Sequence, residues 1–290
     1  MIWCNEGGFR MIQDIAPHVF KNEYVPQKPE KDSYVMYMEH EKMLVKQKGE
    51  QISFPTFEEL EESNVNIYEE ATYLFAIDNR RFYLLDELIY DERYQWIERE
   101  AFRRMQPAEL AFAGITAWQL KRWYQNHKFC GRCGKPMKKD KKERMLYCEA
   151  CHLMEYPKIC PAVIVGLTDG NRLLLTKYAG RKHKNYALIA GFAEIGETIE
   201  ETVRREVMEE VGLKVKNITY YKSQPWSFTD TLLFGFYAEL EGSPEIHLDE
   251  EELSVAEWFE REEIPINDVS VSLTNEMILN FKNGKNLTQL

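Results

Sequence analysis

Residues Gly191 to Leu213 read GFAEIGETIEETVRREVMEEVGL, and no other stretch narrows the folds open to this chain so far. Ile199, Val203, Val207 and Val211 recur at helical spacing and form an apolar stripe. Glu206, Glu209 and Glu210 stand at i, i+3 and i+4 and so share one face. Glu206 and Glu210 border the stripe, with Glu209 a little further round. Three ionised carboxylates this close repel one another. Exposed, they weaken a helix; around a divalent ion they form a site for a hard cation that takes oxygen ligands. Arg205, four residues before Glu209, is placed to pair with it. Gly191 and Gly212 flank the helix, Gly212 where a left-handed cap would fall. A solvated acidic helix is the commoner fate of such a stretch. It accounts for the charge but not for the charge lying beside the stripe, nor for the two glycines.

The segment resembles the Nudix box, G-x5-E-x7-R-E-U-x-E-E-x-G-U with U apolar. It matches at Gly191, Glu197, Arg205, Glu206, Val207, Glu209, Glu210, Gly212 and Leu213. The resemblance implies metal-dependent hydrolysis of a nucleoside diphosphate linked to another group, with Mg²⁺ or Mn²⁺. Glu206, Glu209 and Glu210 would hold metal or activate water, while Arg205 and Glu197 orient the helix and its loop. The chemistry agrees. Cations neutralise a pyrophosphate and lower the pKa of bound water, and a nearby carboxylate serves as base. The sequence contains no G-x-S-x-G elbow and no G-x-x-x-x-G-K-[ST] loop.

Four of the six cysteines form two C-x-x-C pairs, Cys130 with Cys133 and Cys148 with Cys151, with 14 residues between the pairs. This is the spacing of a four-thiolate structural Zn²⁺ site. Such a site has no open coordination position, so this zinc is architectural. Disulfides fit poorly, since the start MIWCNEGGFR lacks a secretion signal. His152 reads as a surface residue, Cys160 as core and Cys4 as a plain thiol. A reducing cytoplasm is the expected compartment.

At 290 residues the chain has room for two domains and a small module, and no apolar run approaches the ~20 residues that cross a bilayer. The net charge of −11 argues against general attraction to nucleic acid. Residues 121–144, however, hold ten basic and two acidic residues, +8, which leaves −19 elsewhere. A solubilising loop is the plainer reading; a patch for phosphates, such as an RNA chain on the substrate, is the sharper one.

Residues 1–125 read as an α+β domain without a catalytic constellation. YVMYMEHEKMLVKQ and TYLFAIDNRRFYLLDE are strand pairs, with an acidic connector, Glu58 to Glu70, as a solvated face between them. Helices are expected near 92–104 and 107–126, the second carrying Leu110, Ala113, Ala117, Leu120 and Tyr124. Phe82, Tyr83, Trp96, Trp118 and Trp123 read as core or interface. A ribbon spans 126–157 and a catalytic domain 158–290. In the latter, AVIVGLTDGNRLLLTKY is a hairpin about Asp169-Gly170, followed by YALIAGF, the box, strands in KNITYYK, TLLFGFYAEL and VAEWFE, and a helix near 273–283. The expected fold class is α/β: a Nudix α/β/α sandwich with a mixed sheet, preceded by a four-Cys zinc ribbon and an α+β N-terminal domain.

Ribbon, box, Tyr156-Pro157 and Ser223-Gln224-Pro225-Trp226 together resemble the zinc-ribbon NADH pyrophosphatase (NAD+ diphosphatase) branch, whose later motif is S-Q-P-W-P-F-P-x-S. This chain has Ser227 and Thr229 in place of two prolines, keeps Phe228, and ends on Thr231 in place of serine. With fewer prolines to fix φ the loop should be less rigid. Asp230 would add negative charge beside a dinucleotide.

Carried over position by position, the resemblance implies metal ligation by the Ala190 carbonyl, Glu206, Glu209, Glu210 and a later glutamate. Glu252 is the choice for the last of these, with Glu250 or Glu251 as alternatives. Gln224, Pro225, Trp226, Ser227, Phe228, Thr229, Asp230 and Thr231 would line the nucleotide pocket. Glu143 and Tyr156 would approach from the ribbon, and Phe192 would stack on a base, core packing being the alternative for Phe192 and Trp226. The implied activity is hydrolysis of NAD(H) to AMP and NMN(H) by a homodimer. Alternatives are NAD-capped RNA, ADP-ribose, a dinucleoside polyphosphate, or a non-catalytic nucleotide or RNA binder.

Overall fold

The computed structural model describes residues 11–180, 185–265 and 271–284. Cys4 lies outside the described residues. The chain divides into two compact units. One holds residues 12–158 with 227–230; the other holds Met11 and the described residues of 159–226 and 231–290.

In the first unit the strands are short. They are β1 (Phe20–Lys21), β2 (Tyr34–Met36), β3 (Met38–Glu39), β4 (Lys42–Lys48) and β5 (Gln51–Ser53). One-turn helices α1 (Phe57–Leu60) and α2 (Ile67–Glu70) come next, then β6 (Thr72–Ile77), β7 (Arg80–Leu84) and β8 (Gln95–Glu98). A 3₁₀ turn (Arg99–Arg103) leads into helix α3 (Ala108–Asn126). Two sheets result. One has the order β1-β6-β7-β2; the other has the order β3-β4-β5, with β8 on β4. Leu110, Ala113, Ala117, Leu120 and Tyr124 are buried along α3, as are Trp118 and Trp123.

Two expectations are corrected here. Residues 92–104 are helical only at 99–103, as the 3₁₀ turn. Trp96 and Ile97 instead face Leu44 and Met43 across an antiparallel ladder, and this pairing with β4 overrides local helix propensity. The acidic connector is not merely a solvated face. It folds into α1 and α2, which bury Phe57, Leu60 and Ile67 while their glutamates stay outside.

The ribbon carries β9 (Lys138–Lys139), β10 (Leu146–Tyr147) and β11 (Met154–Glu155) in the antiparallel order β11-β10-β9. Strands of two residues cannot hold themselves together; four side chains from two turns must do so.

The second unit contains β12 (Cys160–Asp169), β13 (Arg172–Tyr178), β14 (Ile189–Phe192), helix α4 (Ile199–Val211), β15 (Lys214–Trp226), β16 (Thr231–Glu241), β17 (Leu253–Glu260) and helix α5 (Leu273–Lys282). The sheet order is β15-β16-β12-β13-β17, with β14 also on β12. β12 pairs in parallel with β16 and antiparallel with β13 and β14, so the sheet is mixed. A strand with partners on both sides and helices on both faces reads as an unbroken apolar run, which AVIVGL is.

Alternation along β12 sorts the core. Val163, Val165 and Leu167 join Val203, Val207 and Val211 of α4. Ile164 joins Leu273, Met277 and Phe281 of α5 on the other face. Gly166 is obligatory on that second face, because a Cβ there would lie 2.6 Å from the Tyr237 ring. Helix, sheet and helix give the α/β/α sandwich.

Candidate active site and zinc ribbon

Helix α4 is fixed at both ends by its own sequence. Thr198 caps the N-terminus, its hydroxyl accepting from the Glu201 N–H while Glu201 accepts from the Thr198 N–H. Gly212 closes the other end at φ 69°, a left-handed conformation that favours glycine. The segment that follows β16 then docks on this end. The His247 N–H donates to the Val211 carbonyl and the Asp249 N–H to the Glu210 carbonyl, each at 2.9–3.0 Å. These bonds satisfy the last helical carbonyls and bring Glu252, at the start of β17, toward the carboxylates of α4.

Arg205 is the hub of the face. Its guanidinium donates to Glu197 (2.5 and 2.9 Å), Glu206 (2.7 Å), Glu209 (2.8 Å) and the Phe192 carbonyl (2.8 Å). Glu197 also accepts from the Glu194 N–H and the Thr202 hydroxyl. Arg205 first, and then that N–H, hold the Glu197 carboxyl down at about 2. The loop before the helix is thereby tied to the helix. Gly191 has a different reason from Gly212: a Cβ there would sit 1.9 Å from the Glu206 carboxyl carbon. The box glycine is the space into which a catalytic-face carboxylate projects.

The three α4 glutamates are unequal. Glu209 is 57% exposed in its side chain. Glu206 is buried, and burial raises its pKa against the pull of Arg205, with Glu209 and Glu252 adding repulsion. Glu210 is buried too, and its Oε2 has no hydrogen-bond partner. Burial first, then the charges of Glu206 and Glu252, push the Glu210 carboxyl up to about 8; the Ala190 N–H pulls the other way. Glu252 is the late glutamate whose charge acts on both Glu206 and Glu210. A buried, crowded carboxyl with an orphaned oxygen is the environment a divalent cation relieves. Glu206, Glu210 and Glu252 are the carboxylates that could serve one.

The segment after the box is placed differently from the pocket lining outlined above. Gln224 is fully buried. Its amide donates to the Val271 carbonyl and accepts from the Leu273 N–H, so it pins the start of α5. Ser227, Phe228 and Thr231 are buried, with the Arg103 guanidinium 4.1 Å over the Phe228 ring. Trp226 is half-buried, while Pro225 and Thr229 stay accessible. Asp230 does not present a free negative charge, which corrects the expectation of added repulsion. It takes φ 59° and pairs with Arg122. Replacing Arg122 by alanine leaves that carboxylate without its partner. A double-mutant cycle of Arg122→Ala and Asp230→Ala by denaturant unfolding should show a coupling of about 1–2 kcal/mol. Simple additivity would refute the pairing. Phe192 is 54% exposed, and on the ribbon the Tyr156 hydroxyl donates to Glu143 at 2.8 Å.

The four ribbon cysteines converge, their Sγ atoms all within 4.8 Å of one another. Thiolates around tetrahedral zinc, with Zn–S of about 2.3 Å, need separations of this order. The two turns that carry them are alike. Gly134 (φ 71°) donates to the Cys130 carbonyl and His152 (φ 58°) to the Cys148 carbonyl, each at 2.8 Å. His152 is thus the counterpart of Gly134, a turn residue and not a fifth ligand. Burial would raise the Cys130 thiol, but the amides of Cys133 and Arg132 outweigh it and hold it at about 6, which favours a ligating thiolate.

Of the ten basic residues in 121–144, Lys121, Arg122 and Arg144 are turned inward, while the other seven stay exposed. Lys121 is buried on the Met38 carbonyl. Arg122 pairs with Asp230 and Lys138 with Glu149. Lys139 donates to Thr72, and Arg144 to the Leu74 and Asn22 carbonyls. Apart from Glu149, these partners come from 67 to 122 residues away, and spacing in sequence had no means of showing them.

Comparison with known proteins agrees with this geometry. Residues 158–276 match the NUDIX domain, and residues 125–156 match the NADH pyrophosphatase zinc ribbon domain. The NAD-capped RNA hydrolases NudC of Salmonella heidelberg and Salmonella paratyphi C are each 42% identical over 158 residues, 54% of this chain and 60% of theirs. The chain thus spans about three-fifths of the length of the curated relatives it matches. A NUDIX hydrolase crystal structure from Nitrosomonas europaea is 24% identical, over 56% of this chain and 97% of that one, with a TM-score of 0.48. Among the described residues no helix is long and apolar enough to cross a membrane.

Proposed function

We propose that this chain, which joins a zinc ribbon of the NADH pyrophosphatase type to a Nudix domain, hydrolyses the pyrophosphate bond of NAD(H) to AMP and NMN(H). The observation that carries the reading is the buried Glu210 carboxyl, whose Oε2 has no hydrogen-bond partner, with the charges of Glu206 and Glu252 acting on it. A bound Mg²⁺ or Mn²⁺ supplies charge neutralisation of the pyrophosphate and a water of lowered pKa. Glu206, Glu210 and Glu252 would hold the cation, with the Ala190 carbonyl. Glu209, the exposed member, is free to take a proton from the attacking water as Arg205 steadies it. Arg205 and Glu197 keep the loop and helix in register. Pro225, Trp226, Thr229 and Phe192 are the accessible candidates for nucleotide contact, with Glu143 and Tyr156 on the ribbon.

The finer parts of this reading rest on the resemblance to that branch. They are the boundaries 1–125, 126–157 and 158–290, Mg²⁺ or Mn²⁺ as the metal, zinc as the ribbon's ion, a cytoplasmic location and a homodimeric assembly.

A second reading is supported by the names of the Salmonella relatives: the same bond cut within the NAD cap of an RNA. Incubation with NADH and Mn²⁺ or Mg²⁺, followed by chromatography of the products, tests the first. AMP with NMNH is expected. Inert NADH with cleavage of NAD-capped RNA would replace the first reading with the second, and no cleavage of either would overturn both.

The crowded carboxyl also sets a pH dependence. Below 4.5, the ordinary value, Glu210 is protonated in both the folded and the unfolded chain; between there and about 8 only the folded chain keeps the proton. The stabilisation is therefore full below the unfolded value and is lost as pH rises through the folded one. Without added Mg²⁺ or Mn²⁺, and with the ribbon's metal left in place, the wild type should lose stability relative to Glu210→Gln across this window. Parallel curves in denaturant unfolding would refute the assignment.

A further inference from the structure

Between the C-terminal end of α3 and the first ribbon strand lies a cleft of about 130 Å³, wholly within the first unit. Its walls are apolar at Leu84, Met137 and Leu146, with Tyr124 at the back. Its polar groups are Lys128, Lys139, His127, Gln125 and Asp86. The charge is unbalanced. Lys128 repels both Lys139 and the buried Lys121, although the attraction of Asp86 is the larger on each. Against these cations stands one carboxylate, Asp86, which forms no ion pair within 4.0 Å among the described residues. The Lys128 ammonium has no hydrogen-bond or ion-pair partner among the described residues. Lys139 lies 5.2 Å over the Tyr124 ring and donates to Thr72. The His127 Nδ1 sits 2.8 Å from the Trp123 carbonyl and serves as its donor, which makes Nε2 an acceptor in that tautomer.

We propose that this cleft binds a small phosphate monoester or inorganic phosphate, held by Lys128 and Lys139. A compact, multivalent anion offsets the repulsion between the two lysines, gives the Lys128 ammonium an acceptor, and overrides the single carboxylate. The volume suits one phosphate with a small substituent and not a stretch of polymer. Apolar walls lower the local dielectric and strengthen the attraction. The site is separate from the box carboxylates and does not depend on which substrate they cut.

Titration calorimetry of the intact, zinc-replete protein with inorganic phosphate, without added Mg²⁺ or Mn²⁺, tests this. Saturable binding is expected, weakened roughly tenfold or more in Lys128→Glu. In Lys141→Glu, an exposed ribbon lysine outside the cleft, it should stay within about twofold, as a screened surface charge requires. Because the Lys128 ammonium has no partner among the described residues, its variant should melt at the wild-type temperature. Three outcomes would overturn the proposal. They are no saturable binding, an equal loss in both variants, which would mean diffuse charge, and displacement of phosphate from this site by a uridine tetranucleotide lacking terminal phosphates, which would mean a polymer backbone.

Discussion

Turnover of NAD(H) is expected to fall by about 10²- to 10⁴-fold in Glu210→Gln, with the fold intact. Glutamine preserves the volume of the side chain and an oxygen for the Ala190 N–H, but carries no charge with which to hold a cation. The variant also removes a carboxyl that the folded chain must keep protonated up to about 8, so the metal-free protein should be no less stable than the wild type. That combination, lost activity with undiminished stability, separates a metal-holding role from a structural one. Steady-state kinetics with Mn²⁺ and Mg²⁺, beside a thermal melt, would decide it. Unchanged turnover would remove Glu210 from the site, and a collapse in melting temperature would make it a packing residue.

The second large effect is expected at Cys148→Ser. Cys148 is fully buried at the centre of the four-thiol cluster. The strands around it are two residues long and bury little of their own. In such modules metal binding supplies the folding free energy, on the order of 10 kcal/mol or more. Serine should therefore abolish stoichiometric zinc and unfold the ribbon. Hydrogen exchange across residues 128–156 should rise toward the unfolded rate, while β12 to β17 keep their protection. Full zinc occupancy in the variant, or an unchanged exchange pattern, would show that the cluster is not what holds the ribbon.

The elements legible in the sequence are those whose causes lie within a few residues. Helix α4 is one, since its stripe, its Thr198–Glu201 capping box and its Gly212 terminus are all local. The cysteine turns are another, because each C-x-x-C closes within five residues on a positive-φ position. The apolar run of β12 announced a strand buried on both faces. Strand β8 was not legible: its stretch carries no strong turn signal, and its pairing partner is some fifty residues earlier.

The segment from Ser223 to Thr231 shows the same limit at the level of function. Its letters marked a substrate loop. The structure gives Gln224 to the start of α5, buries Phe228 beneath Arg103, and sets Asp230 on Arg122. A polar side chain offers the same hydrogen-bonding groups to a ligand or to a backbone, and only the packed fold says which one it meets.

The sequence by itself determined the chemistry. Carboxylates at i, i+3 and i+4 beside an apolar stripe, and paired cysteines at ribbon spacing, are local patterns with few physical uses. Only the tertiary structure decided how that chemistry is tuned. It put the Glu206 carboxylate in the space Gly191 leaves, brought Glu252 to α4 through the docking of residues 247–249, and pushed Glu210 up to about 8. It also turned Lys121, Arg122 and Arg144 of the basic stretch inward. Burial and long-range charge depend on neighbours distant in sequence, and no local pattern encodes them.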